Sequence, residues 1–261
     1  MSLFAAGCLE QNAWICGEYL SSRSDKIIEA VREHVGLTVG AVAYGTLLAI
    51  PLVLAARRWR VTAGWIGGFT NVLYTVPSLA FFAMLLPFTG LSGTTVLVGL
   101  VAYTLVILFR GFLTGLDGVP PEVRQAATGM GYGPIRLLLT VELPLALPVV
   151  IAALRTATVS TVALVTVGAA VGHGGLGDLI YSGLGSTFKA EVLTASVLCV
   201  ALAVAADLLF VLLERLLTPW RRGLRRGFPP GFRRGFRDGS RGGGMTAGRV
   251  ADGLDAEPHA R

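Results

Sequence analysis

Apolar residues in this chain do not alternate with polar ones. They come in long runs separated by short polar breaks, over about residues 35–56, 64–87, 94–113, 147–171 and 192–213. A helix needs about twenty apolar residues to cross a bilayer, so five spans are predicted. Residues 1–24 are mixed and contain no span. Ser24 or Asp25 can cap a helix start. After it, Ile27, Ile28, Val31 and Val35 share one face, with Lys26, Glu29, Arg32 and Glu33 elsewhere. That pattern fits an interfacial helix feeding the first span, or a plain helical extension of it. Gly36 and Gly40 are spaced for close helix approach, and Pro51 is expected to bend the end of the first span. The second run is interrupted at Pro77-Ser78 and carries Asn71, Tyr74 and Thr75 at mid-membrane depth. Polar groups there face a bundle interior or a water-filled path. Asn71, Tyr74, Thr75, Pro77 and Ser78 are therefore the candidate pathway residues.

Between the third and fourth runs lies a polar island, residues 120–148, PPEVRQAATGMGYGPIRLLLTVELPLALP. Residues 121–129 can form a short helix. Gly131 and Gly133 permit a tight turn, and Pro134 suits the first turn of a second helix. Such a helix–turn–helix on the water side is a rigid knob for a soluble partner to grip.

Composition agrees with the pattern. The 261 residues are 53% hydrophobic and only 15% charged, with a mean hydropathy of +0.67. This is the profile of an all-α membrane protein with no room for a second globular domain. The net charge of +6 is unevenly spread: ten of the 22 Lys and Arg follow Thr218, among only four acidic residues. Residues 221–261 are expected to be a disordered Arg/Gly-rich tail against anionic headgroups. Its Arg-Gly-Phe texture is the sole hint of RNA, and no nucleic-acid partner is expected. Arg57, Arg58 and Arg60 fill one connection, Arg124 and Arg136 another, whereas residues 88–93 hold no basic residue and 172–191 only Lys189. With five spans, this bias places the N-terminus outside and the C-terminus in the cytoplasm, with the island on the ATP side. The predicted layout is an extracytoplasmic segment 1–33, a transmembrane domain 34–220 and the tail 221–261.

Candidate chemistry is sparse. Cys199 lies in an apolar run and reads as a small core residue. Cys8 and Cys16 can pair only where the N-terminus faces an oxidising side, which leaves the pairing open. His34, His173 and His259 have no metal-ligand spacing, so neither metal nor cofactor is expected. Residues 3–8, LFAAGC, lack the basic and apolar regions of a lipoprotein leader. Gly172-His-Gly174-Gly-Leu-Gly177 fits GxGxxG but follows a span rather than a strand; it reads as a flexible turn at the mouth of a pathway. No GxxxxGK[ST] and no catalytic constellation occurs in the sequence, so an enzyme is not expected. Arg155 and Asp207 each lie about seven residues inside a span, roughly 10 Å from the same edge. Charges at that depth need partners. Either they pair and hold the last two spans together, or one of them lines the pathway. Phe69, Tyr74, Phe81, Phe82 and Tyr103 offer faces for a quaternary ammonium, though aromatics in spans are more often packing.

Gln125-Ala126-Ala127, Gly131 four residues on, and Val141-Glu142-Leu143-Pro144 follow a spacing that resembles the EAA loop of the membrane subunit of bacterial binding-protein-dependent ATP-binding-cassette (ABC) importers. The resemblance covers about residues 30–220. Tyr74-Thr-Val-Pro-Ser-Leu-Ala80, Glu142-Leu-Pro-Leu-Ala-Leu-Pro148, Arg155-Thr-Ala-Thr158 and Gly172-His-Gly-Gly-Leu-Gly-Asp178 are similar to the osmoprotectant branch, whose solutes are glycine betaine, carnitine, choline or proline. It implies an ATPase-coupling loop containing Glu122, Gln125, Ala126, Ala127, Gly131, Leu143 and Pro144. It also implies a separate ATPase subunit, a second permease chain of the same or similar kind, an extracytoplasmic solute-binding protein, and a bacterial plasma membrane. Gln125 stands where the family has glutamate; the amide keeps hydrogen bonding and loses charge, and Glu122 one turn earlier is a candidate substitute. The competing readings are a permease for another small solute, such as an amino acid, and a stand-alone channel or secondary transporter. The latter would often show inverted repeats and more intramembrane charge.

Overall fold

The computed structural model describes residues 8–9 and 11–219. The Arg/Gly-rich tail, with its expected disorder, lies outside them. The described residues form ten α-helices and no strand. In order these are α1 (Gly17–Ser22), α2 (Ser24–Arg58), α3 (Arg60–Thr75), α4 (Ser78–Thr89), α5 (Gly93–Asp117), α6 (Pro121–Gly129), α7 (Pro134–Leu137), α8 (Leu143–Gly168), α9 (Leu176–Gly185) and α10 (Lys189–Leu217). Four stretches are long and apolar enough to cross a membrane, and the pair α3–α4 makes a fifth if taken as one broken span.

The amphipathic stretch after Ser24 is the plain extension: α2 is one helix of 35 residues. Pro51 sits inside it without ending it, and the ladder runs on until Trp59 N–H donates to Ala55 at 2.9 Å. The second run departs further from expectation. Pro77 cannot donate to a ladder and holds Val76 extended. The axes of α3 and α4 consequently meet at 100°, so this run is no straight span. The start of the fourth span is also corrected. Helical structure does not wait for residue 147 but runs from Pro134 to Val171. The ring of Pro144 crowds the carbonyl of residue 140, and the chain widens into a π turn over Leu138–Glu142 that carries the helix past it.

The core lies between α2, α5 and α8. Ala49 and Val53, Leu108 and Phe109, and Ala153 and Ala157 are its buried members at one level. Ala41, Phe82, Leu100 and Val165 form it at another. Small residues set how near the helices come. Gly99 leaves the space taken by the Phe82 ring, and Gly45 lies against Thr104. Gly36 faces open space, so close approach on α2 comes at Gly40 and Gly45 instead. Inside this contact Thr104 and Thr161 share a hydrogen bond of 2.9 Å. No residue in the apolar stretch of α10 is buried within the chain; that face is left for lipid or another protein.

The Gly172–Gly177 turn is not the flexible mouth its composition suggests. Gly172 and Gly175 have φ of +84° and +54°. A Cβ on Gly175 would come within 2.7 Å of the Ala30 carbonyl and the His34 nitrogen, and one on Gly177 within 2.6 Å of the Thr166 backbone. Asp178 accepts from Gly174 N–H at 2.9 Å and ties down the entry to α9, a helix inside the predicted loop.

The N-terminal segment is fastened at this same end of the bundle. Cys8 and Cys16 form a disulfide with Cα atoms 5.5 Å apart. Within the loop it closes, the Asn12 amide donates to Thr187 at 2.8 Å and accepts from Lys189 N–H at 2.9 Å. Lys26 pairs with Glu191 at 3.1 Å, and the rings of Tyr19 and Phe188 meet edge to face. Burial, and secondarily Glu191, push the Tyr19 phenol above its ordinary value.

Gly177→Ala should lower the thermal midpoint of the detergent-solubilised protein, by roughly 1–3 kcal/mol of overpacking, although alanine favours helices. Gly67→Ala, with nothing within 4 Å of the added methyl, should leave it unchanged or raise it.

Candidate functional site

The polar island forms a helix, a turn and a second helix that continues into a span. Pro121 opens α6, where its missing N–H is no loss. After Met130 the chain reverses at Gly131, whose φ is +84°, and Tyr132 N–H reaches back to Ala127 at 3.1 Å. Only Gly131 needs the left-handed region; Gly133 has a φ of −71°. Arg136 then lies over the Tyr132 ring at 4.5 Å.

Of the predicted coupling residues, Glu122, Gln125, Ala126 and Gly131 are exposed, while Ala127 is buried against the bundle. Leu143 and Pro144 do not belong to the knob. They open α8 beyond the π turn. The most exposed apolar side chains of the knob and the turn after it are Met130, Ile135 and Leu139.

What holds the knob in place is a residue quoted above as part of the motif but given no role of its own. Glu142 is 4% exposed. Arg57 at the end of α2 grips it with both ends of its guanidinium, at 2.7 and 3.0 Å. Arg124 of α6 brings Nε to 2.9 Å from the same carboxylate; its N–H is not aimed at the oxygen, so this is a charge contact rather than an aligned bond. Arg57 Nε also faces Asp117 at the end of α5, at 3.5 Å, and Arg124 donates to the Leu116 carbonyl. One carboxylate thus ties α6 to α2 and α8, and the two arginines add the end of α5. Each charge was visible in the sequence as loop polarity. Their pairing, across 85 residues for Arg57 and Glu142, left no local pattern.

Three further polar contacts lie within the spans. Arg155 of α8 donates through Nε and Nη2 to both oxygens of Asp207 on α10, the second bond being 2.7 Å. Both side chains are partly exposed on the bundle face. At the broken span, Asn71 of α3 accepts from Arg110 of α5. Tyr103, two turns earlier on α5, donates to the Val76 carbonyl at 2.5 Å and sets the level of the break. Tyr74 and Thr75 are exposed on the last turn of α3, Pro77 forms the break, and Ser78 opens α4. The pathway candidates therefore gather at one break, apart from the knob. Of the aromatics, Phe82 is wholly buried and cannot meet a solute, and Phe81 packs edge to face on Tyr103. A separate apolar groove of about 480 Å³ runs between α2, α8 and α10, past Val39, Val162 and Leu209.

These features define a multi-pass helical membrane protein with a charge-anchored helix–turn–helix at one end and a broken, polar-lined span. Residues 45–223 match the family described as the binding-protein-dependent transport system inner membrane component, and the chain belongs to that family. It is 35% identical over 207 residues to the glycine betaine/carnitine/choline transport system permease protein OpuCD of Bacillus subtilis, covering 79% of this chain and 90% of that protein. The choline transport system permease protein OpuBB of the same organism is 33% identical, over 77% of this chain and 93% of its own. The osmoprotectant import permease protein OsmW of Salmonella typhimurium is 30% identical, over 77% and 96%. Among solved structures, a chain of the methionine ABC transporter MetNI shares the fold with a TM-score of 0.68 at 21% identity, covering 76% of this chain and 98% of that one. A chain of an amino acid ABC transporter does so with 0.65 at 17%, covering 77% and 99%.

Glu142→Gln should lower stability by about 3 kcal/mol, because it leaves two guanidinium groups facing a neutral amide in a mostly buried site. Arg57→Lys, which keeps the charge and loses the fork, should fall between that variant and wild type in thermal unfolding. Arg155→Asp and Asp207→Arg should each lower the midpoint, and the double exchange should recover at least half of the loss; no recovery would exclude a pairwise structural role.

Proposed function

We propose that the chain is the translocation subunit of an ATP-driven importer for a small quaternary-ammonium solute of the glycine betaine, carnitine and choline class. The observation that carries this reading is similarity at 33–35% identity, over at least 90% of their length, to transport permeases named for those solutes. Two permease chains would enclose the pathway, and an extracytoplasmic binding protein would deliver the solute. ATP hydrolysis would take place on a separate subunit gripping the α6–α7 knob.

The anchoring of the knob supports that role. A coupled change of state needs contacts that pass movement from partner to spans. Through Glu142 the knob is joined to α2 and α8, so a pull on α6 reaches the helices that form the core. Gln125, in the family's glutamate position, lies exposed on α6 outside this anchor, which leaves its amide free to meet a partner. The orientation inferred from charge, N-terminus outside, is supported by the Cys8–Cys16 disulfide at one end and by Arg57, Arg124 and Arg136 at the other. The amino-acid transporters resemble this chain in fold alone and lend that substrate class no weight.

The test is uptake of labelled glycine betaine and choline into proteoliposomes holding this chain, its cognate ATPase and its binding protein. Uptake should require ATP. Ala126→Arg, on the exposed face of α6, should abolish co-purification of the ATPase and uptake together, while stability stays within about 0.5 kcal/mol. Uptake by the purified chain alone, indifferent to ATP, would replace this reading with a channel or secondary carrier.

A further inference from the structure

Arg110 stands out among the intramembrane charges. Arg155 has Asp207, and Arg57 has Glu142 and Asp117. None of the ion pairs among the described residues includes Arg110; its recorded contact is the neutral Asn71 side chain. It lies seven residues before Asp117, the end of α5, or roughly 10 Å from it. Its side chain is exposed rather than packed. Nor is it stretched toward the near end of the bundle: it is held by Asn71, eleven residues along α3 from Arg60, or roughly 16 Å. An uncompensated guanidinium at that depth is unfavourable unless something anionic meets it.

A second copy of this chain offers little to meet it. At comparable depth from the Arg57 end, the described residues supply one carboxylate, Asp207, which Arg155 already holds on both oxygens. Glu142 is buried and shared by two arginines. With the chain's own carboxylates engaged, the anion that transport itself would bring to this level of the spans is the solute.

Resting on the transport reading above, we infer that Arg110, steadied by Asn71, is the site in the spans that receives the carboxylate of a zwitterionic solute. The guanidinium fork matches a carboxylate's two oxygens. Asn71, a neighbour without charge, orients the fork and leaves its remaining N–H groups open. The broken span places this pair one to two helical turns from the Val76–Pro77 break, where Tyr74 and Thr75 are also exposed. The site would serve glycine betaine or carnitine, which carry a carboxylate, and would do nothing for choline, which carries a hydroxyl.

That difference is the test. Wild type, Arg110→Gln and Arg110→Lys are reconstituted with the ATPase and binding protein, and ATP-dependent uptake of glycine betaine, carnitine and choline is compared. Arg110→Gln should lose about tenfold or more of the carboxylate-bearing solutes, the scale of one charge-assisted hydrogen-bonded contact, while choline uptake stays within about twofold of wild type. Choline uptake also shows that the variant has folded and couples. A fall in all three solutes together, or in none, overturns the assignment, as does a wild type that carries choline but no carboxylate solute. If the wild type carries only carboxylate solutes, Arg110→Lys decides: it keeps the charge and loses the fork, so its uptake should fall between wild type and Arg110→Gln, and a loss equal to that of Arg110→Gln overturns the site. A wild type that carries none of the three removes the transport reading itself, whatever Arg110 does.

Discussion

A carboxylate buried where water cannot reach it has to be neutralised by what surrounds it, and Glu142 is neutralised by two arginines from different parts of the chain. The rest of this end of the molecule depends on that requirement. Arg57 can meet Glu142 only if α2 ends level with the start of α8. Arg124 can meet it only if α6 lies across the bundle end. Asp117 beside Arg57 brings in the end of α5. Removing one member leaves the others charged and short of partners, so the arrangement tends to be kept whole or lost whole. This is why the knob is a projecting part of the bundle rather than a loose loop, and why a force on α6 would be felt in α2 and α8.

Elsewhere in the spans the charges are satisfied differently. Arg155 and Asp207 neutralise one another on a face the chain does not cover, joining α8 to the otherwise lightly held α10. Among the described residues, Arg110 is met by the Asn71 amide and by no carboxylate. The three arginines thus pass from a mostly buried anchor, through a half-exposed pair, to a cation with space around it. Exposure rises as compensation falls, which is the order expected if the first holds structure and the last is available to a ligand. Apolar packing follows a similar gradient. Helix α5 is the most enclosed of the spanning helices, whereas α3 and α10 keep wide apolar faces for lipid or a second chain.

Much of the candidate site was legible in the chain, for reasons that can be named. The helix–turn–helix of the island was read from Gly131, Gly133 and Pro134, and Gly131 and Pro134 do restrict the backbone locally as expected. Arg155 and Asp207 were noticeable because a charge inside a long apolar run is rare. Other readings went astray where one residue type serves two ends. Gly172, Gly174, Gly175 and Gly177 read as flexibility, yet in the fold Gly174, Gly175 and Gly177 are places where backbone comes close and a Cβ would collide, and Gly172 holds a positive φ. Pro144 read as part of a loop; in the fold it sits in the first turn of a span, relieved by the π turn before it. Pro77 signalled a break but not its angle, which Tyr103 helps to set from another helix.

Run lengths, proline positions and the bias of arginine by themselves determined that this is a helical membrane protein with about five spans and a structured polar island. These are local properties: a bilayer selects helices by the apolar length of one segment, and a proline or a left-handed glycine restricts the residues beside it. The tertiary structure alone decided which charges meet, which glycines are contacts, and which spans are enclosed. Those outcomes depend on residues as far apart as Arg57 and Glu142 arriving at one point. Burial then makes their meeting obligatory, because an unpaired charge in a low-dielectric interior is far less stable than a paired one. Nothing in the neighbourhood of either residue records the other.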